Sequence, residues 1–258
     1  MRKPDKIYLM ESEGRRIHGL AAQARERGEH LESLKLNEEA LLAYQKDGDI
    51  LGFAEALSDR VIVLNHLFEE TNDRVFIILA KNTARASVEI AEYSGDKTAI
   101  AIPYFNLAKV QTTMEEYKEA LESYKKAVEN IINNPPSSNN RASIVADFKA
   151  HTETAAYKAG DKSALERAEM AIAELEQVPV ISDEDYLAKD KLLAFNEEVS
   201  YNKNVWLSGA HMRIAEMLKK DNPSKAKEHL QKAKEIIDSD ERLKIRKSQW
   251  EKLAEENK

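Results

Sequence analysis

The stretch that decides the fold covers residues 101–129, AIPYFNLAKVQTTMEEYKEALESYKKAVE. Its first half places apolar or small residues at a spacing close to the 3.6-residue helical period, and its second half repeats this pattern after a short polar break. In the second half one face is apolar and the other is charged, as in a helix that is solvated on one side. Glu122 and Lys126 lie four residues apart on that charged face, where opposite charges support a helix. The stretch therefore predicts two antiparallel helices joined by a turn.

Six residues of this stretch fall in the register of a tetratricopeptide repeat (TPR), namely Tyr104, Leu107, Ala108, Ala120, Tyr124 and Ala127. The pattern of that family has an aromatic residue, then Leu-Gly, and later Ala followed by an aromatic residue. Small residues at two of these places let the helices approach closely, while the tyrosines fill the space beside them. The helix pair resembles a TPR unit, with departures at Ala108, where the family has Gly, and at Gln111, where it has an aromatic residue.

The second helix of the pair recurs along the chain. NEEALLAY at 37–44 resembles YKEALESY at 117–124, and alanines in the same register return in three further segments, at 80–84, 164–171 and 226–233. The period is about 40 residues, longer than that of the compact TPR, and resembles the broader repeat family that includes vesicle-fusion adaptors. The resemblance implies an all-α protein in which antiparallel helical hairpins stack as a right-handed TPR-like solenoid of about 10–11 helices.

The repeat pattern favours a single domain over residues 1–258, because a solenoid grows by stacking and needs no domain boundary. The low-complexity run NNPPSSNN predicts an exposed loop at 134–140, and a subdivision there into 1–133 and 141–258 stays open. Residues 183–220 predict one long helix or two abutting helices. Residues 240–258 predict a polar helix that caps the array.

Three Gly-Asp doublets, at 48–49, 95–96 and 160–161, each follow one helical pattern and precede another. Glycine adopts the left-handed conformation that ends a helix, and aspartate accepts the free N–H groups at the start of the next. The doublets predict three helix-to-helix corners.

Composition limits the function. The net charge of −7 argues against a general nucleic-acid binder, because phosphate backbones favour a basic protein face. The chain has no cysteine, which excludes a disulfide framework, a thiolate metal site and a catalytic thiol. Its N-terminal residues lack the apolar core of a signal peptide, and no apolar run approaches the roughly 20 residues of a membrane span. We therefore expect a cytoplasmic protein without a membrane span and without a nucleic-acid partner.

Motifs that would indicate catalysis are missing. The sequence has no phosphate loop of the GxxxxGK type, no GxGxxG, no HExxH and no GxSxG. His66 with Glu69 and Glu70 could form part of a metal site, but carboxylate-bridged metals in helical proteins need a matching set on a second helix. We therefore predict no catalytic residue, no metal site and no cofactor.

The resemblance to TPR proteins implies where a partner would bind. In such arrays the first helix of each hairpin lines a concave groove that holds an extended or helical peptide. The groove positions carried over to this chain are Arg25, Asn65, Glu69, Phe105, Asn106, Lys109 and Lys149. Asn106 occupies a place where the family often uses Asn to hold a peptide backbone. The two-carboxylate clamp of chaperone-binding relatives is absent, because its other places hold Asn65 with Glu69 and Ala146 with Ala150.

Three functional hypotheses follow. The preferred one is a non-catalytic scaffold or adaptor that binds a protein or peptide partner in the groove. The alternative is a sensory or regulatory module in which a small peptide or metabolite enters the groove and changes the pitch of the superhelix. The third is an enzyme with a site in a helical cleft, which predicts that titratable groups are buried together there. The identity of the partner and the oligomeric state stay open.

Overall fold

The computed structural model describes residues 12–134, 141–178 and 189–255, and within these ranges the protein is all-α. The predicted all-α class is therefore confirmed for this part of the chain, which contains eleven α-helices, one short 3₁₀ helix at Lys97–Ala99 and no β-strand. The α-helices are α1 Glu13–Glu26, α2 His30–Asp47, α3 Ile50–Thr71, α4 Arg74–Ser94, α5 Ala101–Thr113, α6 Tyr117–Asn133, α7 Arg141–Lys158, α8 Ala164–Gln177, α9 Lys189–Leu218, α10 Pro223–Asp238 and α11 Lys244–Glu255.

The Gly-Asp doublets form corners between helices, as predicted. Gly48 and Gly95 follow α2 and α4 in the left-handed conformation, with φ of 70° and 72°. Asp49 then caps α3 by accepting a hydrogen bond of 2.8 Å from the backbone N–H of Gly52. The third doublet, at 160–161, lies at the corner between α7 and α8. Local chemistry thus sets where these helices end and begin.

The helices pack in a regular order. Each packs against the next one along the chain, and the odd-numbered helices from α1 to α9 also pack against one another in succession. Small residues allow the close contacts: Ala108 of α5 and Ala120 of α6 are fully buried where these two helices meet. Tyr124 of α6 fills the adjacent space, as the sequence pattern predicts.

Tyr44 of α2, which the sequence pattern aligns with Tyr124 of α6, lies between two glycines. A Cβ atom added at Gly14 of α1 or Gly52 of α3 would come within 2.5 Å or 2.3 Å of its ring. Because no real side chain tolerates such contacts, glycine is needed at both places for α1, α2 and α3 to pack.

The last third of the chain is built on one long helix. Of the residues 183–220, those from Lys189 to Leu218 form the single helix α9, 30 residues long, and 183–188 lie outside the described residues. The loop predicted at 134–140 also lies outside them, apart from Asn134.

The predicted capping helix is α11, at Lys244–Glu255. Trp250 ties it to α10 by donating a hydrogen bond of 2.8 Å to the carbonyl oxygen of Leu230. The helix also reaches back to α3, where Gln249 Nε2 donates to Glu69 Oε2 over 2.8 Å and Lys252 Nζ donates to the backbone oxygen of Glu69 over 2.7 Å. Helix α11 therefore connects α10 with α3, which is far from it in sequence.

Candidate ligand-binding cavity

A partly open cavity of about 700 Å³ lies between the odd-numbered helices. Side chains from α1, α3, α5, α7, α9 and α11 line it, whereas Tyr124 of α6 is the one lining residue on a described even-numbered helix. Its volume falls within the range of pockets that hold small ligands. The packing of the odd-numbered helices against one another brings their inner faces together at this place.

Aromatic side chains form one wall of the cavity. Phe105 of α5 stacks on Phe148 of α7, with ring centroids 3.8 Å apart and planes 7° from parallel. Tyr124 and His151 meet the ring of Phe105 edge-on, at centroid distances of 5.9 Å and 5.0 Å. The amine of Lys109 lies 5.5 Å from the centroid of the same ring. This wall can hold an apolar part of a ligand beside a positive charge.

Three basic residues from three helices meet at the cavity, and we call Lys109 of α5, Arg213 of α9 and Arg246 of α11 the cationic cluster. Both guanidinium groups pack near Gly209, where an added Cβ atom would lie 3.2 Å from Arg213 Nη1 and 3.3 Å from Arg246 Cζ. Arg213 Nη2 lies 3.4 Å from Asp147 Oδ1. Among the residues that the structure describes, no carboxylate forms an ion pair with Lys109 or Arg246.

Burial shifts the protonation equilibria of this region. Desolvation lowers the pKa of Lys109 from 10.5 to about 8, and although Asp147 favours the charged amine, Arg246 and Arg213 repel it. Desolvation also holds the pKa of His151 well below its ordinary value of 6.5, and the three cations of the cluster act in the same direction. His151 is therefore neutral near pH 7 and adds no positive charge to the cavity.

The cavity has more basic than acidic side chains, although the chain as a whole has a net charge of −7. Seven basic residues line it, Arg25, Lys109, Lys158, Arg213, Arg242, Arg246 and Lys252. Four acidic residues line it, Glu26, Glu69, Asp147 and Glu216. Arg25 and Arg242 pair with Asp59 and Asp240, which lie outside the lining, and the smaller excess of basic residues that remains favours an anionic ligand.

A second group of charged residues, Arg25, Glu26 and Asp59, lies where α1 meets α3, and we call it the paired cluster. Arg25 forms ion pairs with Asp59 and, over 2.8 Å, with Glu26. Asn37 of α2 donates a hydrogen bond of 3.2 Å to Asp59, and Tyr201 of α9 donates one to Glu26. Each charge of this cluster has a partner inside the protein, so the cluster joins helices and leaves little for a ligand.

Six of the seven groove residues predicted from the sequence line the cavity, Arg25, Asn65, Glu69, Phe105, Asn106 and Lys109. Several of them already have partners. Asn106 is 3% exposed and donates a hydrogen bond of 3.4 Å to the carbonyl oxygen of Ser58 on α3. Asn65 donates one of 2.7 Å to Glu69. Lys109 is the one of the six whose polar group has neither a hydrogen bond nor an ion pair among the described residues.

Lys149, the seventh predicted groove residue, lies outside the cavity. Its amine forms an ion pair of 2.8 Å with Glu174 of α8. The face of α7 that lines the cavity carries Asp147, Phe148 and His151 instead. Lys149 therefore joins α7 to α8.

Sequence reasoning missed most charged or titratable residues of the site, among them Asp147, His151, Arg213 and Arg246. The repeat register placed Ala146 and Ala150 toward the groove on α7, but both are 2% exposed in the core, and the residues that line the cavity follow one position later. One residue turns a helix by about 100°, so this shift exchanges core for cavity. The signal available in the sequence was an Asp and a His four residues apart on an otherwise alanine-rich helix.

Comparison with models of known protein families finds no match for the chain, and comparison with curated proteins finds none either. The described ranges hold no group of three or more His, Asp or Glu side chains arranged to bind a metal ion. In the same part of the chain, no helix combines the length and the apolar character that crossing a membrane requires.

Proposed function

We propose that the protein is a non-catalytic module that binds a short peptide in the cavity, and that its helices form a TPR-like solenoid. The observation that supports the proposal is which helices line the cavity: most lining residues lie on α1, α3, α5, α7 and α9, the first helices of the successive pairs, and α11 supplies most of the others. This is the surface that the resemblance to TPR proteins assigns to peptide binding.

The size of the cavity and the helices that cross it favour a short ligand over a long helix. A volume of about 700 Å³ is typical of pockets for small ligands. Tyr201 of α9 contacts Glu26 of α1, and Gln249 of α11 contacts Glu69 of α3, so the C-terminal helices lie across the space between the N-terminal ones. These contacts favour the sensory or regulatory form of the hypothesis over an open scaffold.

A ligand in this cavity would contact both ends of the chain. Helix α11 has no buried residue along its length, and two hydrogen bonds to Glu69 connect it to α3. Few buried contacts are typical of elements that move when a ligand binds. Binding would therefore stabilise the closed position of α11, which is how the module would report that its ligand is present.

An enzyme is the second candidate, because titratable groups are buried together in the cavity. Lys109, Asp147 and His151 line it, and burial shifts the pKa of each. A nucleophile and its base, however, need hydrogen-bond contact. His151 Nε2 lies 3.8 Å from Asp147 Oδ1, and the amine of Lys109 has no described ion-pair partner. Binding therefore explains these groups better than catalysis does.

Two matched substitutions test the proposal. Val205 of α9 lines the cavity, whereas Val75 at the start of α4 is 55% exposed and does not line it. Val205→Trp should fill the cavity, and Val75→Trp should leave it open. We expect the unmodified protein and Val75→Trp to retain members of a pool of short random peptides, measured by mass spectrometry after size filtration, and Val205→Trp to lose them. If Val205→Trp, checked for unchanged helicity, retains the same peptides, the cavity is not the binding site.

A further inference from the structure

The cationic cluster concentrates positive charge that carboxylates of the protein balance only in part. Lys109, Arg213 and Arg246 come from α5, α9 and α11, and Asp147 of α7 is the one described carboxylate in ion-pair contact with any of them. The neighbouring His151 stays neutral near pH 7. At this place one carboxylate is in ion-pair contact with the three basic residues, while Glu69 attracts Lys109 and Glu26 attracts Arg246 from farther away.

Such an arrangement does not help the protein to fold. Lys109, Arg213 and Arg246 are each half-buried, and removing part of a charge from water without a close partner costs free energy. Like charges held close together add repulsion. Arg213 Nε is moreover buried without a hydrogen-bond partner, so part of the guanidinium group is left unsatisfied among the described residues. Glycine at position 209 lets both guanidinium groups approach the backbone of α9, which keeps them together at the cavity.

We propose that the cationic cluster binds a carboxylate of the peptide that occupies the cavity, so that the ligand supplies the negative charge missing from the protein. The inference rests on the proposed function and names the chemistry of the ligand. Guanidinium groups fit the planar shape of a carboxylate with two parallel hydrogen bonds, and a lysine amine adds a point charge. The carboxylate is either the C-terminus of the peptide or an Asp or Glu side chain.

The position of the cluster also predicts what lies next to that carboxylate. Lys109 sits over the ring of Phe105, which is stacked on Phe148, and Trp206 of α9 lines the same cavity. A carboxylate held by Lys109 therefore lies beside an aromatic wall. An apolar or aromatic residue adjacent to the carboxylate would pack against this wall.

Three pools of short random peptides test the inference. The first lacks Asp and Glu and has an amidated C-terminus, so that it carries no carboxylate. The second differs only in its free C-terminus, and the third only in containing Glu. We expect the full-length protein to retain the second or the third pool at least about tenfold better than the first, since a charge-assisted hydrogen bond contributes that much to binding. The better pool identifies the source of the carboxylate.

The outcomes separate the inference from the proposed function. Equal retention of all three pools overturns the inference and leaves peptide binding in the cavity standing. Retention of none of them overturns peptide binding, and the inference with it.

Substitutions then test whether the cationic cluster causes the preference for peptides that carry a carboxylate. Lys109→Met and Arg246→Gln each remove one charge from the cluster, and Lys125→Met removes one from the outer face of α6, where the side chain is 77% exposed. We expect the first two to weaken retention of the preferred carboxylate pool about tenfold and to leave the first pool unchanged. Lys125→Met should change neither. An equal loss for all pools in Lys109→Met and Arg246→Gln overturns the inference, because a general loss of structure would then explain the result.

The protonation of Lys109 gives an independent readout. A bound carboxylate favours the charged amine, so the pKa of Lys109 should rise above its value of about 8 when the preferred pool saturates the protein. The pKa can be measured by NMR on the reductively methylated amine. An unchanged pKa at saturation would place the carboxylate elsewhere and contradict the inference.

Discussion

The paired cluster and the cationic cluster contain the same kinds of charged residue but differ in how their charges are balanced. In the paired cluster, Arg25 has both Asp59 and Glu26 as partners. In the cationic cluster, Arg213 alone has an ion-pair partner among the described residues, which is Asp147. Helix α9 contributes to both, through Tyr201 at the first and Arg213 at the second. This difference is the reason that we propose the cationic cluster, and not the paired cluster, as the place where a ligand binds.

The two clusters should respond differently to the loss of a charge. Removing one member of a buried, satisfied ion pair leaves an uncompensated charge and is strongly destabilising. Removing one of several like charges relieves repulsion and desolvation. The predictions below therefore compare unfolding free energies in the two places.

The largest effect is expected in the paired cluster. Asp59→Ala removes the carboxylate that binds both Arg25 and Asn37. Because Arg25 then retains Glu26 alone, we expect a loss of about 3–5 kcal/mol in the free energy of unfolding, measured by urea denaturation. A loss below about 1 kcal/mol would show that this cluster contributes no more than a surface pair.

The second-largest effect is expected in how the free energy of unfolding depends on pH, and it arises from the titration of Lys109. Its pKa of about 8 in the folded protein lies below the 10.5 of an unperturbed lysine, because of burial and of repulsion by Arg246 and Arg213 that outweigh the attraction of Asp147 and Glu69. Below pH 8 the amine is protonated in both states, and the folded state bears the full cost of the buried charge. Between pH 8 and 10.5 the unfolded state binds more protons, so stability rises with pH.

Lys109→Met isolates this contribution. The free energy of unfolding of the unmodified protein should rise relative to that of the variant by about 1–3 kcal/mol between pH 7.5 and 10.5. The measurement is a series of urea denaturations of both proteins across this range. A difference that stays flat or falls with pH would show that the amine is not held in an unfavourable environment.

The smallest effect concerns the closure by α11. Glu69→Gln keeps the size of the side chain but removes the charge that accepts hydrogen bonds from Asn65 and Gln249. We expect amide hydrogens of α11 to exchange several-fold faster, with global stability lowered by about 0.5–1.5 kcal/mol. Glu174→Gln, which weakens the ion pair with Lys149 on α8, is the control and should leave exchange in α11 unchanged. Equal exchange in both variants would argue against Glu69 as the contact that holds α11.

Much of the fold could be predicted because its signals are local. The doublets Gly48-Asp49 and Gly95-Asp96 form helix corners through the backbone freedom of glycine and the capping ability of aspartate. The alanine and tyrosine pattern of α6 becomes a buried face, because the apolar spacing of a helix directly predicts which side is covered. The TPR-like solenoid itself stays a proposal.

The site could be predicted only in part. The register carried over from TPR proteins selected six residues that line the cavity. On α7 it selected Ala146, which is buried in the core, whereas the next residue, Asp147, lines the cavity. Arg213 and Arg246 were missed for a different reason. They meet Lys109 through the packing of α9 and α11 against the helices of the first half, and no local pattern reports such long-range contacts.

Matched substitutions at Arg25 and Arg246 compare the two clusters most directly. Both residues line the cavity, but the first has two carboxylate partners and the second has none among the described residues. We expect urea denaturation at pH 7 to show that Arg25→Gln lowers the free energy of unfolding by about 2–4 kcal/mol, whereas Arg246→Gln leaves it unchanged or raises it by up to about 1 kcal/mol. Equal losses in both variants would contradict the distinction between a paired cluster that holds the fold together and a cationic cluster that waits for an anionic ligand.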